Sequence, residues 1–200
     1  MNRFSLAAAL SHNARSKNLN PTRLIVASFL VVILCGTLLL MLPVSNRSGR
    51  SIPPLDALFT ATSATCVTGL VVFDTYLQFT VFGQVVVLLL IQIGGLGLVT
   101  LTTFFNIAIG RRLGFKSLRL ASESINISDP GQARSLLQFV MQIAFGFEAA
   151  GTLLLCFSFV PRFGPRGIFT ALFISISAFC NVGFDILGFL MPGGSLIPYA

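Results

Sequence analysis

The chain has 200 residues, of which 54% are hydrophobic and only 10% charged, against about a quarter charged in ordinary soluble domains. A formal charge of +7 raises nucleic acid as a partner, but the basic clusters lack interleaved aromatics, which argues against an RNA- or DNA-binding surface. Apolar stretches of spanning length place the chain among integral membrane proteins.

The opening "MNRFSLAAALSHNARSKN" has too short an apolar run for a secretory signal, and no convincing cleavage site follows it. Residues 1–22 read as a polar cytoplasmic tail at the membrane surface, with the lone His12 solvated. Leu24 to Leu42 is 19 residues without a charge and reads as a first span that doubles as an uncleaved signal anchor. "PVSNRSGRSIPP" follows. Pro53 and Pro54 suit the first turn of a helix, where a missing N–H leaves nothing unpaired. Asp56 in that turn complements the positive end of the helix dipole. Leu55 to Thr65 gives roughly 16 Å of helix, about half the hydrocarbon thickness. Such a helix can dip into the bilayer but cannot cross it.

The chain must then come back, because Asp74 and the next span require it on the outer side. Cys66 to Phe73 is therefore non-helical backbone at membrane depth, tolerated only where it is buried in protein or lines a water-filled cavity. Phe79 to Ile109 is a second uncharged stretch of 31 residues. Gly94, Gly95 and Gly97 within it serve close helix packing more readily than a hinge. Arg111, Arg112, Lys116 and Arg119 mark a linker that is a topology signal and a candidate docking surface. Ser135 to Val160 is a third span, interrupted only by Glu148. That acid is either functional or bonded to neighbouring hydroxyls in the bundle interior. Cys35 and Cys156 are small hydrophobes inside spans, and the absence of CxxC or Cys/His clusters makes a metal site other than the ion path unsupported.

A shift of 114 residues aligns "ALFTATSATCVTG" (Ala57 to Gly69) with "ALFISISAFCNVG" (Ala171 to Gly183) at seven of thirteen positions. "GTLLL" at Gly36–Leu40 recurs at Gly151–Leu155, offset by 115. Two matched blocks in one order at one spacing are an internal repeat. Nine basic residues fall on the side of the tail and linker, against Arg47, Arg50, Arg162 and Arg166 on the other. This is the positive-inside pattern, with the amino terminus cytoplasmic and both short segments outside. The division is a tail at 1–22, a first span–loop–span unit at 23–110, a cytoplasmic linker at 111–133, and a second unit at 134–200 with span and loop only. The fold class is an all-α membrane protein of tandem span–re-entrant pore loop–span repeats, potassium-channel-like.

Glycine lets successive carbonyls turn toward one axis and allows close approach to an ion, and rings of carbonyls replace an ion's hydration shell. Thr65, Cys66, Val67, Thr68 and Gly69 are the candidate lining of the first loop; Phe179, Cys180, Asn181, Val182 and Gly183 are their counterparts. Asp74 and Asp185 follow the two loops, either attracting cations to the mouth or simply solvating it. Ser63, Ser177 and Thr62 read as packing residues of the short helices.

"SATCVTGLVVFDT", "SAFCNVGF" and "IQIGGLGLVTL" resemble the first half of a Ktr/Trk/HKT-type potassium transporter subunit, from Asn20 onward, and the short tail is more like the Ktr branch. The resemblance implies four such units around a pseudo-fourfold pore and a homodimer in the bacterial plasma membrane. It further implies a cytosolic ring of regulatory subunits that alone carries the nucleotide. The transported ion is then K+, with Na+ as a coupling or regulatory ion. In plant members serine at the first filter glycine goes with sodium preference, so Gly69 and Gly183 imply potassium. By the 114-residue offset Ala200 corresponds to Val86, so one and a half units are expected here and the remainder in a longer polypeptide or another chain. A secondary transporter of another cation or small solute would show inverted rather than parallel repeats. An intramembrane enzyme would need a nucleophile–base set or ligand cluster, and the spans offer none.

Overall fold

The computed structural model describes residues 21–108 and 130–190. The tail with His12, the linker basic residues Arg111, Arg112, Lys116 and Arg119, and residues 191–200 lie outside the described residues. The described residues are helical, with no strand beyond one isolated bridge between Asn46 and Phe79.

Helix α1 runs Pro21–Met41. It stops where Leu42 precedes Pro43, because the proline ring pushes the residue before it into extended backbone; Leu42 has φ −60° and ψ 137°. Helix α2 (Pro54–Thr65) starts as its sequence predicts, with Pro54 first and Asp56 in the opening turn. The one-turn helix α3 (Thr75–Gln78) is capped by Asp74, whose Oδ1 accepts from Tyr76 N at 2.9 Å and Leu77 N at 3.0 Å. Helices α4 (Val81–Ala108) and α5 (Pro130–Phe163) are long, and α6 (Arg166–Phe179) is short like α2. The three long helices fall on the three apolar stretches. α5 differs most from expectation: it begins at Pro130, inside the stretch read as linker, and continues through Pro161 to Phe163. Pro130 opens the helix, where its missing N–H costs nothing.

Gln138–Phe163 is long and apolar enough to cross a bilayer; Val26–Met41 and Val81–Gly97 are shorter apolar helical stretches. Polarity is arranged inside out. Leu154 and Phe157 of α5 are 71% and 81% exposed, and α1 likewise presents Leu30, Val31, Leu34 and Leu38 outward. The buried face of α2 is instead Ala57, Thr60, Ala61, Ser63 and Ala64, small and hydroxylic. Against lipid, large apolar groups gain nothing by turning inward, so close backbone approach through small residues is what holds helices together.

α1, α2 and α4 pack together as one group; α5 and α6 form a second, and α4 touches both of its members. Arg47 ties the loop after α1 to the start of α4. Its Nε donates to the carbonyls of Tyr76 at 2.7 Å and Phe79 at 3.1 Å, with the guanidinium 4.2 Å from the Tyr76 ring centre.

Candidate functional site

The carboxyl ends of the two short helices share one motif. After α2, Cys66 (φ −88°, ψ 5°) donates to the Thr62 carbonyl at 2.8 Å, Val67 turns left-handed at φ 60°, and Thr68 N reaches back to Ser63 O at 3.0 Å. After α6, Cys180 (φ −73°, ψ −4°) donates to Ile176 O at 2.9 Å, Asn181 is at φ 58°, and Val182 N reaches Ser177 O at 2.9 Å. A left-handed residue followed by a 6→1 bond is the Schellman termination. Gly69 at φ 75° and Gly183 at φ 84° then add a second left-handed residue to each turn. Each turn thus carries two residues at positive φ, two positions apart.

Val67 is a β-branched residue in a region that such residues rarely occupy, whereas Asn181 tolerates it. Val67→Asn, the residue of the second turn, is therefore expected to stabilise by about 1–2 kcal/mol. A raised midpoint in thermal unfolding of the detergent-solubilised subunit checks this.

The two turns are neighbours. A Cβ placed on Gly69 would fall on the Val182 carbonyl oxygen. They also meet on consecutive residues of α4: a Cβ on Gly94 would fall on the Thr65 carbonyl oxygen, and one on Gly95 on the Cys180 Sγ. The carboxyl ends of α2 and α6 thus converge on one level of α4. Each contributes the equivalent of about half a negative charge.

Thr65 and Phe179 close their helices rather than belonging to the return stretches. Thr65 is buried, its carbonyl lies against Gly94, and its hydroxyl has no hydrogen-bond partner among the described residues. Phe179 stacks on Phe147 with ring centres 6.3 Å apart. Cys66, Thr68, Asn181 and Gly183 are exposed, Val67 and Gly69 half-buried, and Cys180 and Val182 buried. Asp74 caps α3 and lies against Gly188, so it has a structural role. Burial pushes the Asp185 carboxyl above the ordinary aspartate range, a bond from Leu187 N at 2.9 Å opposes this, and the nearby Asp74 adds to the rise.

The turns differ in their inner hydroxyls. Ser63 Oγ donates to the Leu70 carbonyl at 2.7 Å and accepts from the Thr68 hydroxyl at 2.9 Å. Ser177, its counterpart, is 1% exposed and its hydroxyl has no partner among the described residues. Leaving such a group unpaired costs about 1–3 kcal/mol. Thr62 bonds only within its helix, to Leu58 O at 2.7 Å.

Glu148 is 3% exposed, and its environment is richer than a set of hydroxyls. Gln92 Nε2 of α4 donates to its carboxylate at 2.8 Å, and its backbone carbonyl accepts from Ser175 at 2.8 Å and Thr152 at 2.7 Å. The residue joins α4, α5 and α6 behind the second turn. Gln92 was not legible as its partner, because one amide in a long apolar stretch carries no periodic signal. Among the described residues no group of three or more His, Cys, Asp or Glu side chains could hold a metal ion.

Comparison with known proteins shows the family. The chain is 41% identical over 167 residues to the Ktr system potassium uptake protein B of Bacillus subtilis, covering 83% of this chain and 37% of that protein. Its counterpart in Vibrio alginolyticus is 45% identical over 165 residues, 82% of this chain and 36% of that one. The potassium/sodium uptake protein NtpJ of Enterococcus hirae is 38% identical over 173 residues, 86% and 38% respectively. The chain thus spans well under half the length of the curated relatives it matches. The profile of the TrkH family, described as cation transport proteins, matches residues 1–191, and the chain belongs to that family.

Proposed function

We propose that this chain supplies part of the pore of a Ktr/Trk-type potassium uptake system in the bacterial plasma membrane. In this reading α2 and α6 are re-entrant pore helices, and Cys66–Gly69 and Cys180–Gly183 are adjacent segments of a carbonyl-lined selectivity filter. The carrying observation is the contact of Gly69 with the Val182 carbonyl, between two turns of matching handedness. Two helix carboxyl ends aimed at one region favour a cation there without any side-chain charge. Thr65 and Phe179 then act as supports at the helix ends rather than as ion ligands.

The names of the relatives support K+ as the transported ion and, through the Enterococcus protein, Na+ as a second one. "Ktr system" in two of those names supports a multi-component assembly. A homodimer on a cytosolic ring of nucleotide-binding regulatory subunits is the assembly that the sequence resemblance implies. An inward tail follows from the distribution of basic residues. Further units of the same kind complete the ring of carbonyls, because two turns cannot surround an ion.

The test is rubidium uptake by proteoliposomes carrying the complete subunit, with unlabelled potassium, sodium and small organic solutes as competitors. Competition by potassium alone, or by potassium far more than sodium, is the expected result. Displacement of rubidium by an organic solute would overturn the reading in favour of a secondary transporter of another class.

A further inference from the structure

The two turns share a backbone but not a restraint. In the first, the Thr68 hydroxyl donates to Ser63 Oγ at 2.9 Å, and Ser63 donates on to the Leu70 carbonyl at 2.7 Å. That chain of hydroxyls spans the turn from the last helical residues to the backbone just past Gly69. In the second, the repeat puts Val182 where Thr68 stands. The backbone frame is retained, since Val182 N bonds Ser177 O at 2.9 Å as Thr68 N bonds Ser63 O at 3.0 Å. The hydroxyl is gone, and Ser177 Oγ, buried with its residue 1% exposed, has no partner among the described residues. Phe184, the counterpart of Leu70, receives no bond from Ser177. The second turn thus lacks both side-chain bonds that cross the first, and the methyl-for-hydroxyl exchange at residue 182 removes one of them.

We propose that residue 182 is a specificity-determining position: valine there leaves the second turn the more compliant of the two, and this sets how well the pore rejects sodium. The proposal rests on the cation-path reading above. A smaller ion is held well only if the oxygens close in on it, so a turn free to follow gives up discrimination that a tied turn keeps. Compliance matters at this position because the Val182 carbonyl is the atom packed against Gly69. Movement of the second turn is therefore felt by the first. Residues 68 and 182 act through the backbone they restrain, as positioning residues, and need not touch the ion with their side chains.

Val182→Thr in the complete subunit tests this, since threonine matches valine in shape and offers Ser177 the missing partner. Rubidium and sodium uptake are measured side by side in proteoliposomes. The expected result is a rise in the rubidium-to-sodium ratio of about threefold or more, abolished in Val182→Thr/Ser177→Ala. A structural effect of threonine alone would survive the loss of Ser177. Thr68→Val, which removes the hydroxyl bond to Ser63 and so loosens the first turn, is expected to lower the ratio, and it carries the test if Val182→Thr does not reach the membrane. Gly69→Ser is run alongside. If Gly69→Ser changes the ratio while neither Val182→Thr nor Thr68→Val does, the inference is overturned and the cation path stands. If none of the three changes it, both are overturned.

Discussion

Gly69→Ser in the complete subunit is expected to lower the ratio of rubidium to sodium uptake, on the order of tenfold, and more than Gly183→Ser does. Two separate penalties fall on position 69. The left-handed backbone at φ 75° disfavours any residue with a Cβ by about 1–2 kcal/mol. The new Cβ also falls on the Val182 carbonyl oxygen. That oxygen is backbone, and its own residue is held by the bond from Val182 N to Ser177 O. It can yield only if the two turns move apart, which in the proposed filter widens the spacing of the carbonyl oxygens. A loss of about 1.4 kcal/mol in discrimination corresponds to the tenfold change. Gly183 shares the first penalty, with φ 84°, but a Cβ there meets nothing within 4 Å among the described residues. Its serine variant should therefore be destabilised without the same displacement. Uptake ratios of the two variants, each compared with its unfolding midpoint in detergent, separate strain from displacement. Equal changes in ratio at the two positions would remove the role of the Gly69–Val182 contact.

That contact marks where sequence reading stops. The repeat was legible because glycine, cysteine and serine recur at one offset, and the structure gives the aligned residues the same bonds: Thr68 to Ser63 as Val182 to Ser177. The short helix was legible from Pro54 and Asp56, whose reasons for standing at a helix start are local. The left-handed Val67 was not, because valine is among the residues least suited to that region and only the surrounding turn imposes it. Asn181 at the matching place was the available hint, since asparagine accepts this backbone without a glycine. The partner of Glu148 was hidden for a different reason: Gln92 lies 56 residues away, and only packing of α4 on α5 brings them together. Ser177 could be aligned with Ser63 from the sequence, yet of the two bonds Ser63 makes only the one from Thr68 is visibly lost with the change at residue 182. Spacing along a chain reports which residues are equivalent and is silent on whether equivalent residues find equivalent partners.

Alanine at Gly94, Gly95 or Gly97 of α4 is expected to have effects that differ in sign. At an open helix position Gly→Ala stabilises by about 1 kcal/mol. At Gly94 the added methyl falls on the Thr65 carbonyl oxygen, backbone at the end of α2 that no rotamer change can clear. Overpacking of that kind costs about 1–3 kcal/mol, so Gly94→Ala is expected to destabilise and to displace the turn that follows Thr65. Gly95→Ala meets the Cys180 Sγ and lies 2.7 Å from the Cys180 Cβ, so it is expected to be relieved only in part by Cys180→Ala in the double variant. Gly97→Ala comes within 3.1 Å of the edge of the Phe29 ring, which can swing away, and should be neutral or stabilising. Unfolding midpoints and rubidium uptake of the four variants check the order. A Gly94→Ala subunit as stable and as active as Gly97→Ala would mean that α4 does not hold the first turn in place, and the convergence of the two helix ends on that helix would lose its mechanical meaning.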